Sequence, residues 1–108
     1  MSEGLPVLTM IDQARVDAPN SIAVVGPDGL LTYDDLLTRA DRLAAALRGA
    51  GVRPRDLVGQ CLERSASLIV AALGILKAGC VYVAIDPKYP ADRIRWMLED
   101  SAATAVVT

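Results

Sequence analysis

The sequence predicts an α/β fold: a partial parallel sheet with crossover helices, preceded by a helix and a short β-hairpin. Short apolar runs of strand-like composition alternate with longer helix-like segments, and this alternation is typical of parallel α/β units. Between residues 66 and 94 an almost wholly apolar helix pattern is followed by a β-branched strand, a turn and a further helix. The chain has 108 residues, which is enough for one domain at most.

The stretch from residue 66 to residue 85 organises the rest of the chain. Residues 66–76 are apolar on all sides, which indicates a buried helix rather than an amphipathic surface helix. Gly79 suits the left-handed backbone position just after a helix, and Lys77 complements the negative end of the helix dipole. Residues 80–85 are short, β-branched and apolar, which indicates a strand covered on both faces. We therefore expect nearly complete burial of five side chains: Leu73, Ile75, Val81, Val83 and Ile85.

The flanking segments are amphipathic or short. Residues 33–48 have the clearest amphipathic pattern, with Thr32 as a suitable N-cap and with Leu43 and Leu47 expected to be buried on the inner face. The other predicted elements are a helix over 5–16, a hairpin of 22–25 with 30–32 across the turn Pro27-Asp28-Gly29, strands over 57–62 and 103–107, a candidate cap at Ser65, and a helix after Pro90.

Composition excludes several classes of function. The chain has no histidine, so Ser-His-Asp catalysis, Cys-His catalysis and histidine metal sites within it are excluded. The net charge is −2 and the basic residues are scattered, which gives no electrostatic footprint for nucleic acid. Cys61 and Cys80 each lie in an apolar run, which indicates two buried, reduced thiols.

The sequence also favours a cytoplasmic protein with no membrane partner. Its N-terminus lacks the basic region and long apolar run of a signal peptide. Residues 66–85 are long enough to cross a bilayer, but Lys77 lies in the middle of that stretch, between Gly74 and Gly79. A buried helix followed by a strand explains the pattern better.

The search for chemical motifs is mostly negative. Gly74 and Gly79 have the spacing of a phosphate-binding loop, but Cys80 follows where lysine is required, and a helix C-terminus repels phosphate. Two adjacent carboxylate pairs, Asp34-Asp35 and Glu99-Asp100, are interpreted as solvated helix surface. Tyr89 and Trp96 are candidate partner contacts, although packing at the edge of the core is the favoured interpretation of both rings.

Two segments resemble core motifs of one enzyme family. Residues 76–94 read LKAGCVYVAIDPKYPADRI, and this stretch resembles the second core motif of amino-acid adenylation domains from nonribosomal peptide synthetases. LTYDDL at 31–36 is similar to the first core motif, and LERS at 62–65 and MLEDS at 97–101 also resemble the sequence that is typical of the family at these places. One departure is Ala84, which stands where the family usually has proline.

The resemblance implies that residues 1–108 are the opening segment of the large N-terminal subdomain of an adenylate-forming enzyme, a truncated adenylation domain that holds core motifs 1 and 2 only. Complete members use ATP and Mg²⁺ to activate an amino acid as an aminoacyl adenylate, which they load on a carrier protein. In complete members, the phosphate loop, substrate pocket, magnesium ligands and catalytic lysine come after the segment that this chain resembles. No catalytic, cofactor-binding or metal residue is therefore carried over to this chain, which we expect to be inactive alone.

Alternatives remain open at this stage. The chain is either a fragment of an adenylating ligase or a naturally short protein that acts as an interaction or scaffold module. A fragment similar to acyl-CoA synthetases is a weaker third hypothesis. The expected partners are the remainder of an adenylation domain or synthetase chain, or a second copy of this chain.

Overall fold

The computed structural model describes residues 5–27, 29–63 and 65–108, with side chains described from residue 8 onward. The predicted α/β fold is confirmed: an N-terminal helix and a hairpin precede alternating parallel strands and helices. In chain order the elements are α1 Leu5–Asp17, β1 Ile22–Gly26, β2 Gly29–Thr32, α2 Tyr33–Gly49, β3 Leu57–Cys61, α3 Ala66–Lys77, β4 Val81–Ile85, α4 Ala91–Asp100 and β5 Ala105–Val107.

The parallel sheet has the strand order β4-β3-β5 within the described residues. β3 is central: Val58 pairs with Tyr82 on one side and with Ala105 on the other, and Gln60 pairs with Ala84 and Val107. Both connections from strand to parallel strand run through a helix, as parallel pairing requires. The outer edges of β4 and β5 have no neighbouring strand among these residues.

Helices α2 and α3 pack together on the sheet and enclose the main core. Val58 and Ile75 are fully buried there. Gly74 permits the close approach, since a Cβ at this position would lie 2.7–2.9 Å from three atoms of Leu43. The predicted cap of α2 is confirmed, because the Thr32 hydroxyl accepts a hydrogen bond from the Asp35 backbone N–H at 3.1 Å.

The turn between α3 and β4 also has its predicted form. Gly79 follows α3 with φ of 80°, in the left-handed region that glycine adopts without strain. Its N–H group donates to the Leu76 carbonyl, and Cys80 N–H donates to the Ile75 carbonyl. The chain therefore turns directly from helix to strand and delivers Cys80, which is 1% exposed, into the core.

A second apolar cluster joins the N-terminal elements to the helices. The β1–β2 hairpin pairs Val25 with Leu30 in antiparallel register. Leu31, Leu36, Ala40, Ala66 and Leu73 form the buried part of this cluster, and Leu8 and Ile11 of α1 pack against it. The N-terminal helix and hairpin thus pack against α2 and α3 through this second cluster.

Burial differs from expectation around β4. Leu73, Ile75, Leu47 and Ile85 are buried as predicted, but Val81 is 38% exposed, and Val83 and Leu43 are only half-buried. The prediction of a strand covered on both faces was wrong: Val81 and Tyr82 project to opposite faces, and both are exposed. β4 lies at the edge of the sheet, where an apolar sequence does not by itself provide a covering layer.

The apolar helix is also less buried than its sequence indicates. Ile69 of α3 is 41% exposed, and Leu68, Val70 and Leu76 are half-buried. The uniformly apolar sequence indicates that every face of the helix is suited to burial. Which faces are buried depends on the elements that surround the helix.

Smaller differences concern the ends of elements. β3 ends at Cys61, β4 begins at Val81 and β5 begins at Ala105, each within two residues of expectation. Ser65 occupies the N-cap position of α3, but its hydroxyl donates to the Glu63 carbonyl and makes no cap hydrogen bond. Asp28 of the predicted hairpin turn and Arg64 of the LERS match lie outside the described residues.

Candidate functional site

The most promising depression lies at the carboxyl ends of β3 and β4, the edge where ligands bind in parallel α/β sheets. This strand-end cleft is an open cavity of about 640 Å³. Its described lining residues are Gln60, Leu62, Glu63, Leu68, Ala84, Ile85, Asp86, Pro87, Lys88 and Tyr89. Part of the second-motif stretch therefore forms one wall of the cleft.

Gln60 is the unusual residue of the strand-end cleft. It is 3% exposed and is the buried polar residue among the side chains that the structure describes. Its side-chain oxygen is buried and has no hydrogen-bond partner within residues 5–27, 29–63 and 65–108. Buried polar groups in native proteins are nearly always hydrogen-bonded, so this unpaired oxygen is unusual for a buried side chain.

The loop after β4 has a fixed local geometry. Asp86 accepts a hydrogen bond from the Lys88 backbone N–H at 2.9 Å through its Oδ1 atom, and the Tyr89 N–H donates to the Asp86 carbonyl. The Arg93 guanidinium lies 4.4 Å from the centre of the Tyr89 ring, a cation–π contact that ties the loop to α4. The cleft wall is thus held by backbone and side-chain contacts of the motif itself.

The two predicted partner contacts lie in different surroundings. Tyr89 is half-buried and lines the strand-end cleft, whereas Trp96 is 64% exposed on α4 and is not part of the cleft lining. The structure therefore does not bring the two rings together in one site. Trp96 is exposed, as are the apolar side chains of Val81, Tyr82 and Val106 on the sheet strands.

An ionic network ties α1 to α2 and α3. Asp41 accepts from Arg15 at 3.2 Å and from Lys77 at 3.0 Å, and Lys77 also contacts Asp12. Partial burial would raise the pKa of Asp41, but the hydrogen bonds and charges of Lys77 and Arg15 outweigh it and hold the pKa below its ordinary value. This network is structural, since it joins helices and leaves each charge paired.

Two further features of the described residues concern thiol chemistry and metal binding. Burial, helped by the nearby Asp56 charge, raises the pKa of the Cys80 thiol, which donates to the Arg53 carbonyl at 3.3 Å. A thiol in this state is a poor nucleophile. No three Cys, Asp or Glu side chains among the described residues are grouped in a way that could hold a metal ion.

Two further expectations concern membrane segments and exposed carboxylates. In the described segments, no helix combines the length and apolarity needed to cross a bilayer. The adjacent carboxylate pairs at 34–35 and 99–100 lie on helices at the surface of the molecule, in agreement with their interpretation as helix surface.

Comparison with known families identifies the class of protein. A family model described as AMP-binding enzyme matches residues 11–108. The chain therefore belongs to the AMP-binding enzyme family. The segment with the two core motifs, the parallel sheet and the strand-end cleft all fall within the matched region.

Within this family, the curated relatives described next are peptide synthetases. The chain is 49% identical over 97 residues to a component of linear gramicidin synthase from Brevibacillus parabrevis, covering 90% of this chain and 1% of that protein. It is 52% identical over 91 residues to malpibaldin synthetase from Mortierella alpina, covering 84% of this chain and 2% of that protein. The chain thus corresponds to a very small part of each relative's length.

Solved structures agree on the fold. One is the nonribosomal peptide synthetase FmoA3 in a form with α-methyl-L-serine-AMP bound, with a TM-score of 0.83 and 42% identity over 89% of this chain and 11% of that one. Another is the N-terminal subdomain of NpsA from Klebsiella oxytoca in complex with anthranilyl-AMSN, with a TM-score of 0.83 and 25% identity over 94% of this chain and 26% of that one. The chain thus resembles the N-terminal part of peptide-synthetase adenylation domains.

Sequence reasoning missed Gln60. Its signal was present, since a glutamine stands between Gly59 and Cys61 in a run that is otherwise apolar. A polar residue inside a predicted buried strand requires a partner, and that requirement identifies a site better than residue type alone.

Proposed function

We propose that this chain supplies the first parallel strands of a nonribosomal peptide synthetase adenylation domain. In its complete form such a domain joins the carboxylate of an amino acid to the AMP portion of ATP, releases pyrophosphate, and transfers the aminoacyl group to a carrier-protein thiol. The observation that carries the proposal is the parallel unit β3–α3–β4, which contains residues 76–85 of the second-motif stretch and lies in a chain that matches an aminoacyl-adenylate-bound synthetase structure.

In this proposal the segment has a structural role. Its core is built by packing α2 and α3 on β3, and its described thiols are buried or half-buried while Asp41 is paired with cations. Catalysis would then depend on phosphate-binding backbone donors, cations and metal from other parts of the domain. We expect the chain alone to form no aminoacyl adenylate.

The open sheet supports a completing partner. The strand edges at β4 and β5 are unpaired within the described residues, and Val81, Tyr82 and Val106 on these strands are 38–43% exposed. Unpaired edges and apolar patches recruit further polypeptide by strand addition and burial. We propose that the remainder of an adenylation domain covers these strand edges and side chains. The complete domain would then take part in peptide natural-product biosynthesis, as the name of the gramicidin synthase relative indicates for that protein.

A second candidate is an interaction module that scaffolds a partner chain. The exposed Trp96 ring on α4 favours this function, because large exposed aromatic side chains are common at binding hot spots. Size-exclusion chromatography with light scattering tests both partner proposals together. A monomer that binds no hydrophobic dye and unfolds cooperatively would show that the chain closes its own core and would refute both partner proposals.

The test of the main proposal is a chimera. Residues 11–108 replace the aligned segment of the peptide synthetase that was solved with α-methyl-L-serine-AMP, and amino-acid-dependent exchange of pyrophosphate into ATP is measured. We expect the chimera to keep the amino-acid preference of its host. A matched control chimera carries Ile75→Ala, which opens a cavity at a fully buried position and should reduce the folded fraction. A folded chimera without exchange activity would contradict the proposal.

A further inference from the structure

Arg15 of helix α1 is the centre of the contact between this helix and α2. Its guanidinium group donates to Asp34 at 3.0 Å, to Asp41 at 3.2 Å and to the Thr38 hydroxyl at 3.0 Å. All three acceptors lie on α2. The Arg15 side chain is 31% exposed, so its ion pairs are partly shielded from solvent. A single side chain thus makes three polar contacts that hold α1 on α2.

A second ionic contact joins α1 to α3. Lys77, in the last turn of α3, lies 3.2 Å from a carboxylate oxygen of Asp12 on α1 and 3.0 Å from one of Asp41 on α2. The Lys77 side chain is only 16% exposed, but both carboxylates are about half exposed and remain within reach of dissolved ions. We therefore expect the contacts of α1 with α2 and α3 to weaken as the ionic strength rises.

The apolar contacts of α1 are limited by comparison. None of its described side chains is buried. Leu8 and Ile11 are partly buried against the second apolar cluster, whereas Met10 and Val16 are 72% and 75% exposed. The α2–α3 pair, in contrast, contains the fully buried Ile75. Because segments with few buried apolar contacts open most easily, α1 should open at a lower free energy than α2 and α3.

The chain that follows α1 is anchored to the start of α2. The Tyr33 backbone N–H donates to the Ser21 carbonyl, and the Asp34 N–H donates to the Pro19 carbonyl, both at 3.1 Å. These bonds fix the connecting segment beside α2, whereas α1 is joined to it only through Ala18. The helix can therefore move away from α2 and α3 as one unit while the β1–β2 hairpin keeps its pairing.

We propose that α1, Leu5–Asp17, is an ionic strap: it opens and closes over the α2–α3 pair while the sheet stays folded, and ionic strength sets the balance between the two states. Opening removes Leu8 and Ile11 from the second apolar cluster and uncovers the α2–α3 surface beneath them. The pair of Lys77 with Asp41 stays within the α2–α3 unit, so opening does not leave the ammonium group without a partner. This device does not depend on the proposed function.

Hydrogen–deuterium exchange of single backbone amides, followed by NMR in the chain of residues 1–108, tests the ionic strap. The ionic strength is raised from about 0.05 M to about 0.5 M with sodium chloride, which shortens the distance over which charges interact. We expect the amides of α1 to exchange about three- to tenfold faster at the higher salt concentration, because three ion pairs join α1 to α2 and α3. The amides of α3 are the internal reference and should not accelerate.

Two variants separate the contacts of α1 from the net charge. Arg15→Met removes the guanidinium group and keeps a side chain of similar helix propensity. In this variant α1 should exchange about three- to tenfold faster than in the parent chain at low salt, and added salt should accelerate it less. Arg42→Met is the matched control, because Arg42 is exposed on α2 and takes part in none of the ion pairs of the described residues. Its α1 amides should exchange as in the parent chain.

Three results would overturn the proposal. If the amides of α1 exchange only together with those of α3, the helix does not open as a separate unit. If they exchange rapidly but at a rate that salt does not change, α1 frays without ionic control. If Arg15→Met and Arg42→Met accelerate α1 equally, the effect comes from net charge and not from the contacts of Arg15.

Discussion

Replacing Gly74 by alanine sets helix propensity against packing at the contact between α2 and α3. Within a helix, alanine is favoured over glycine by about 1 kcal/mol. At Gly74, however, the added Cβ would lie 2.7 Å from Cδ2 of Leu43 and 2.9 Å from both its Cβ and its Cγ. Because the Leu43 Cβ is fixed to the backbone of α2, relief requires the two helices to move apart. Overpacking costs about 1 to 3 kcal/mol, and contact with a backbone-fixed atom favours the upper part of that range. We expect a net loss of about 1 to 2 kcal/mol.

Urea denaturation followed by circular dichroism measures this change. Gly49→Ala is the matched control, since Gly49 also lies in a helix but an added Cβ there would meet nothing within 4 Å. This control should be neutral or slightly stabilising. Leu43→Ala should cost less stability in the Gly74→Ala background than in the parent chain, because it removes the close contacts with Cγ and Cδ2 of Leu43 and leaves only the one with Cβ. A Gly74→Ala variant as stable as the parent would refute the proposed close packing of α2 on α3.

Three further predictions concern the core, the ionic network and the thiols. Ile75→Ala should lower the free energy of unfolding by about 2 to 5 kcal/mol, and Ile69→Ala by much less, because Ile69 is 41% exposed; equal losses in denaturation experiments would contradict the burial pattern. The pKa of Asp41 is lowered in the folded state, so its contribution is present above the unfolded pKa and is lost as pH falls through the folded value. Asp41→Asn should therefore cost up to about 1 kcal/mol at neutral pH and nothing below both pKa values, and a pH-independent effect would argue against the network. A thiol reagent at neutral pH should modify Cys61 before Cys80, and Cys80 only on unfolding; simultaneous modification would contradict the burial of Cys80.

Local signals in the sequence predicted the elements well. Thr32 and Gly79 occupy the predicted cap positions because a helix end is decided by a few neighbouring residues and their backbone angles. The alternation of strands and helices likewise predicted parallel pairing, since strands joined through a helix cannot form a tight hairpin.

Burial around β4 could not be predicted in the same way. Val81 and Ile69 are apolar but exposed, because the covering of a strand or helix is supplied by elements distant in sequence. The apolar pattern of β4 and α3 indicates a surface that is suited to burial, and the described residues cover only part of that surface. The failed expectation is therefore itself support for a completing partner.

The candidate site was only partly accessible to sequence reasoning. Tyr89 lines the strand-end cleft, whereas Trp96, chosen by the same criterion of an aromatic ring near the core edge, lies apart from it. Gln60 required knowledge of which strand is central and which side chains face it. Only the three-dimensional structure shows that its amide oxygen is buried without a partner among the described residues.

The central claim is that this segment contributes structure to an adenylation domain whose catalytic groups lie elsewhere. Amino-acid-dependent pyrophosphate exchange by the purified chain of residues 1–108 tests it most directly. A panel of amino acids is offered with ATP and Mg²⁺, with a mock preparation as the background and the chimera as the positive control. We expect exchange with the chimera and none above background with the chain alone. Exchange catalysed by the chain alone would contradict the claim.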